Sequence, residues 1–190
     1  MRLCAGQSTP TKGVVTRSGP VSWPIGDPTP LRSVASGEAT VAYFSSVYGL
    51  NPDDVFDYVL NYCRLSAKDL ARPMRELPFV KFQKFALALA LLPNFDIYLA
   101  EGSLIVAERD FSDRWLADFR ARVEGKVFIL VTSQRLAVRQ LCDAALVLRD
   151  GKVFMTREVD RAIDLYGLRP VEYDAPELES SQEDADDPIG

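Results

Sequence analysis

The chain has 190 residues, 47% of them apolar and 26% charged, which is the composition of one well-buried domain, with or without an inserted subdomain, and not of a disordered or fibrous protein. Histidine is absent, which removes Ser-His and Cys-His triads, His-ligated zinc and imidazole bases in one step. The net charge of −5 hides an asymmetry: residues 171–190 carry eight acids and no base, leaving 22 basic against 19 acidic residues elsewhere, too mild an excess to indicate nucleic acid.

Cys4, Cys63 and Cys142 are odd in number, far apart and without a CxxC pair, so they fit a reduced intracellular protein better than a disulfide framework. Met1-Arg2-Leu3-Cys4 leaves no room for the apolar segment of a signal peptide. The longest apolar run, Phe85 to Leu92, is far short of a membrane span. The expectation is a chain that is soluble, or that meets a membrane only through a partner.

In chain order, MRLCAG reads as the end of a helix stopped at Gly6. GVVTR (residues 13–17) and VSWPI (residues 21–25) read as short strands around a Ser-Gly-Pro turn. Ser36 is placed to cap a helix running to Tyr48, with Glu38 in its first turn. Asn51-Pro52 opens a second helix to Tyr62, and Ser66 a third that stops ahead of Pro73. The apolar helix Phe79 to Leu92 has the all-round pattern of a buried element, and a strand follows from Phe95 to Glu101.

Ser112 is placed to cap a helix to Glu124 whose Trp115, Leu116, Phe119 and Val123 share a face. KVFILVT (residues 126–132) has the pattern of a strand covered on both faces. A short helix from Arg135 to Cys142 leads to a hairpin around Asp150-Gly151, then a last helix from Asp160 to Tyr166. Strands alternating with helices imply an α/β fold with a mostly parallel sheet. Residues 1–169 form that domain, with a helical subdomain inserted over about 36–92, and residues 170–190 read as a disordered acidic tail.

GQSTPTKG (residues 6–13) is the nearest approach to a phosphate-binding loop, but Thr11 and Gly13 stand where such a loop needs a glycine and a hydroxyl. Pro10 also removes a backbone N–H, so the segment reads as a turn. Glu101, at a strand's C-terminal end, has two readings: a carboxylate holding Mg²⁺ through water, or one leaving the sheet into solvent. Ser133 lacks the G-x-S-x-G setting of a nucleophile.

The order of pieces resembles the ATP-binding subunit of ABC transporters, in the branch that exports capsular polysaccharide. VSWPIG, SGEATVAYFSSVYGL, FDIYLAEG, ERDF, FILVTSQ, LCDAALVLRDGKV and RAIDLYG carry the resemblance, collinearly over residues 1 to 167. It implies a P-loop NTPase fold, with ATP and Mg²⁺ as cofactors and either a membrane permease subunit or an active ATP-binding subunit as partner. It also implies pairing as a dimer and a place at the inner face of the cytoplasmic membrane, without insertion.

The departures from that pattern fall on its chemistry. Arg32 occupies the Q-loop glutamine position, and Pro78-Phe79-Val80-Lys81 the signature segment. Glu101 replaces the metal-binding aspartate, Gly102 the catalytic glutamate and Ser133 the switch histidine. The family's phosphate-cradling loop would precede Met1. Since phosphoryl transfer rests on positioning and charge stabilisation, the expectation is a degenerate, non-hydrolysing binding or regulatory component. The alternatives are an active export ATPase whose gene model is truncated at the N-terminus, or an α/β binding module unrelated to transport.

In the family, one further parallel strand lies between the Lys126–Thr132 and Leu146–Leu148 strands. Without it these two strands must pair directly, admit another segment, or leave backbone groups unpaired; the expectation is a rearranged sheet or poor stability alone.

Overall fold

In the computed structural model, which describes residues 1–27, 31–149 and 151–166, the strand predicted at Phe95 to Glu101 is the middle of the sheet. β1 (Val21–Ile25), β2 (Ile97–Glu101) and β3 (Val127–Val131) lie parallel in the order β1-β2-β3. Between β1 and β2 the chain builds α1 (Gly37–Tyr48), α2 (Pro52–Cys63), α3 (Ala67–Leu70) and α4 (Phe79–Ala90). After β2 come α5 (Arg109–Val123), β3, α6 (Arg135–Leu141), the hairpin β4 (Ala145–Arg149) and β5 (Lys152–Thr156), and α7 (Val159–Tyr166). No helix among the described residues is long and apolar enough to cross a membrane. The acidic segment 170–190 lies outside the described residues.

β1 carries Pro24, which cannot donate to a ladder, and it is an edge strand, the position where proline is tolerated. Its register slips between Val21↔Ile97 and Pro24↔Leu99. The buried Ser22 repairs the slip: its Oγ accepts the Leu99 N–H at 2.9 Å and donates to the Trp23 carbonyl at 2.8 Å. Trp23 then packs among Phe44, Tyr48 and Phe95, each ring centroid 5.8 Å from its own.

The three helix starts carry the side-chain caps their sequences call for. Ser36 Oγ accepts from Ala39 N, Asn51 Oδ1 from Asp53 N, and Ser66 forms a capping box with Asp69. The first residues make a single helical turn closed at Gly6, with Gln7 N donating to Arg2 O at 2.9 Å and Gly6 N to Leu3 O at 3.2 Å.

α4 is the core helix: Phe82, Phe85, Ala88 and Leu89 are fully buried. α5 crosses it with Trp115, whose ring stacks on Phe119 at 4.7 Å and whose indole N–H donates to Leu87 O at 2.8 Å. A buried indole needs such an acceptor, so this bond fixes where the two helices meet. At their edge, buried Lys84 donates to Glu108 Oε2 at 2.8 Å and lies 5.6 Å from the centre of the Phe111 ring. At the start of α4, Lys81 donates to Asp69 Oδ1 at 2.8 Å, tying α3 to α4. That hydrogen bond, with the Ser66 N–H, holds the Asp69 carboxyl at about 2.

Three expectations are corrected. Residues 13–17 form no strand: Val14 is 87% exposed, and Arg17 folds back to donate to the Leu3 and Cys4 carbonyls. β-Branched residues favour a strand only where a neighbouring strand receives them, and none lies beside this segment. Ser112 does not cap α5, which begins at Arg109; its Oγ instead serves both the N–H and the carbonyl of Val106.

The third correction is β3, which is covered on one face only. Phe128 meets Phe119 of α5, ring centroids 5.3 Å apart, while Val127, Ile129 and Val131 are each at least 40% exposed. Among the described residues β3 pairs with β2 alone, and β4 pairs with β5 in a separate two-stranded sheet. Of the three outcomes foreseen for this edge, unpaired backbone is the one found among the described residues.

Replacing Glu108 with alanine leaves the buried Lys84 ammonium without its partner, with an expected loss of about 1–3 kcal/mol in urea unfolding. Lys84→Met removes charge and demand together and is expected to cost less than Glu108→Ala. The Asp69 carboxyl is depressed from its ordinary 3.8, so its contribution is present above about pH 4 and is lost as pH falls towards 2. Lys81→Met removes the largest cause of that depression, so acid unfolding of the variant, followed by circular dichroism, begins at a higher pH than in the wild type.

Candidate functional site

β1 and β2 run parallel and end side by side, the place where open α/β sheets bind ligands. Beyond Ile25 the chain turns at Gly26, and beyond Glu101 at Gly102, with φ of 97° and 84°. The two turns nearly touch: a Cβ on Gly26 would lie 2.6 Å from Glu101 O, and one on Gly102 would lie 3.6 Å from Gly26 O. Gly26 is therefore excluded from carrying a side chain by contact as well as by φ. At Gly102 there is room, but the left-handed backbone disfavours any side chain.

These ends open into a cleft of about 880 Å³, lined also by Arg2, Gln7, Pro24 and Asp27. Glu101 is exposed, and its carboxylate makes no ion pair or hydrogen bond among the described residues. A triphosphate calls for several cations or a row of free backbone N–H groups. Around this cleft the side chains supply one guanidinium against two carboxylates. Asp27 and Glu101 are oxygen donors of the kind Mg²⁺ takes, but no group of three acidic, Cys or His residues gathers among the described residues. The described residues that line this cleft do not fit a nucleotide with its metal.

The remaining predicted positions fall into two places. Arg32 lies 5.9 Å from the ring centre of Phe79 and 5.8 Å from that of Phe82, with Nη2 donating to Arg75 O at 3.5 Å. Pro78 stands at the N-cap of α4 without a side-chain cap, Phe79 is half exposed, Val80 follows it, and Lys81 is taken by Asp69. Arg32 and the signature-position residues thus share one corner, and none of them lines the Glu101 cleft. Ser133 sits exposed beyond β3 and makes no side-chain hydrogen bond among the described residues.

The groups that organise this end of the sheet are ones the sequence did not flag. Thr132 Oγ1 donates to Gly102 O at 2.6 Å, Gly102 N donates to Val131 O at 2.9 Å, and Gln134 N donates to Thr132 Oγ1 at 3.1 Å. The Gln134 side-chain amide reaches the segment after Gly102, where Oε1 accepts the Leu104 N–H and Nε2 donates to Ser103 Oγ. An amide following Thr-Ser at a strand end is an ordinary sequence, and only the fold brings its partners within reach.

No family model matches the chain. It is 25% identical over 170 residues to the capsule polysaccharide export ATP-binding protein CtrD of Neisseria meningitidis, covering 90% of this chain and 78% of that protein. To the ATP-binding protein BexA of Haemophilus influenzae it is 25% identical over 166 residues, covering 87% and 76%. Among solved structures, an ATP-binding subunit of an ABC transporter superposes with a TM-score of 0.55 at 17% identity, over 81% of this chain and 62% of that one. The chain is therefore homologous to the ATP-binding proteins of capsule polysaccharide export, and it is built on the α/β fold of ABC ATPases.

Proposed function

We propose that this chain is a binding or regulatory component of a polysaccharide-export ABC system, which docks on a membrane permease subunit or on an active ATP-binding subunit and does not itself hydrolyse ATP efficiently. The observation that carries the reading is the pairing of Gly102 and Ser133 at the ends of β2 and β3. The resemblance puts a catalytic carboxylate and a switch imidazole at these two positions. Gly102 has neither a side chain nor, at φ 84°, a backbone suited to one. Ser133 is an exposed hydroxyl, which can offer one hydrogen bond but not the reach of an imidazole.

Phosphoryl transfer depends on fixed groups around the phosphates and on a residue that orients the attacking water. The cleft beside Glu101 offers neither a cluster of cations nor a second carboxylate in the Gly102 position. What the chain keeps is scaffold: Phe95, Tyr98 and Leu99 are buried around β2, and α4 and α5 pack as a unit. A scaffold preserved beside altered chemistry supports a role in assembly. The reading places the protein in the cytoplasm, held peripherally at the inner face of the membrane by its partner.

The purified chain is expected to show no ATP turnover above background with Mg²⁺; sustained multiple turnover would overturn the reading. Gly102→Glu is expected to leave turnover at background and to lower stability by about 1 kcal/mol or more, because the side chain is forced onto a left-handed backbone. Affinity purification from cells expressing the whole export system is expected to recover the permease or the active ATP-binding subunit. Recovery of neither would count against assembly.

A further inference from the structure

We infer that Gln134 is a latch that locks the loop after β2 to the end of β3, so that the Glu101–Gly102 rim of the cleft is set by the protein and not by what binds there. Its amide is used on both sides. Oε1 accepts from Leu104 N at 2.9 Å and Ile105 N at 3.2 Å, while Nε2 donates to Ser103 Oγ at 2.8 Å and to Ile105 O at 3.3 Å. The orientation is forced, because exchanging O and N would set the NH₂ against two N–H donors.

The loop it holds is otherwise tied at its two ends, by Thr132 at Gly102 O and by Ser112 at the N–H and carbonyl of Val106, with Gln134 between them. Residues 102–107 belong to no helix or strand, and their backbone groups need partners from outside. The buried Leu104 side chain anchors the segment by packing, and Ser103 Oγ closes it internally onto Ile105 O at 2.7 Å. Thr132 grips the same loop one step earlier, at Gly102 O. The ends of β2 and β3 therefore form one rigid piece, with Gln134 spanning the distance that no backbone bond covers. This holds whether or not the chain turns over nucleotide.

The latch makes a local prediction that general destabilisation does not. Amide exchange in the full chain, resolved by residue, is expected to quicken at least tenfold at Leu104 and Ile105 in Gln134→Ala, with Leu99 within β2 unchanged. Gln134→Glu keeps the acceptor for the two N–H groups but sets a second acceptor against Ile105 O, so an intermediate effect is expected. Gln134→Asn, one methylene short, is expected to behave as the alanine variant does. Should Gln134→Ala fail to fold, Ser103→Ala, which removes one outer partner, is expected to quicken the same two amides by a smaller factor. Unchanged exchange at Leu104 and Ile105, or an equal acceleration at Leu99, would overturn the latch.

Discussion

The structure depends on the constraint that β2, buried in the core, must have its backbone paired on both edges. Only one neighbour meets this demand in the ordinary way. β1 carries a proline and a register slip, and the Leu99 N–H is satisfied by the hydroxyl of Ser22. β3 pairs in full register, Ile97↔Val127 through Glu101↔Val131, and among the described residues no strand lies beyond it. Because an unpaired buried N–H costs free energy comparable to a lost hydrogen bond, Ser22 is as structural as any of the aromatic residues around it.

From that strand the rest of the molecule is set outward. α4 and α5 meet where the Trp115 indole finds the Leu87 carbonyl, and that meeting fixes the Lys84–Glu108 pair at their margin. The caps at Ser36, Asn51 and Ser66 then give the helices between β1 and β2 defined starting points. At the C-terminal end of the sheet, the two strand ends come together backbone to backbone, an approach that depends on Gly26, where a Cβ would meet Glu101 O at 2.6 Å.

Much of this was legible in the residues, and the divide follows the range of the forces. Capping is a contact over three residues, so Ser36, Asn51 and Ser66 announced their helices. The all-round apolar run of α4 announced its burial for a similar reason, since periodicity is a local property. Ser112 misled because a hydroxyl near a helix start can serve a loop as readily as a cap. GVVTR misled because strand preference needs a partner to act on. The one-sided exposure of Val127, Ile129 and Val131 is a property of what lies beside the strand, which its own seven-residue pattern cannot encode. In the site, Glu101, Gly102 and Ser133 could be named from a resemblance, whereas Gln134 reaches the chain thirty residues back and carries no signal of its own.

The bare edge of β3 has a consequence for how the protein behaves when heated. A parallel edge without a partner strand among the described residues, carrying three exposed β-branched side chains, is a template for another chain's strand, and the five residues from Val127 to Val131 carry no charge to repel one. Association of partly opened molecules through this edge competes with reclosing. Loss of structure on warming is then governed by a race between reclosing and association, and the temperature at which it is seen depends on how fast the sample is warmed and how concentrated it is.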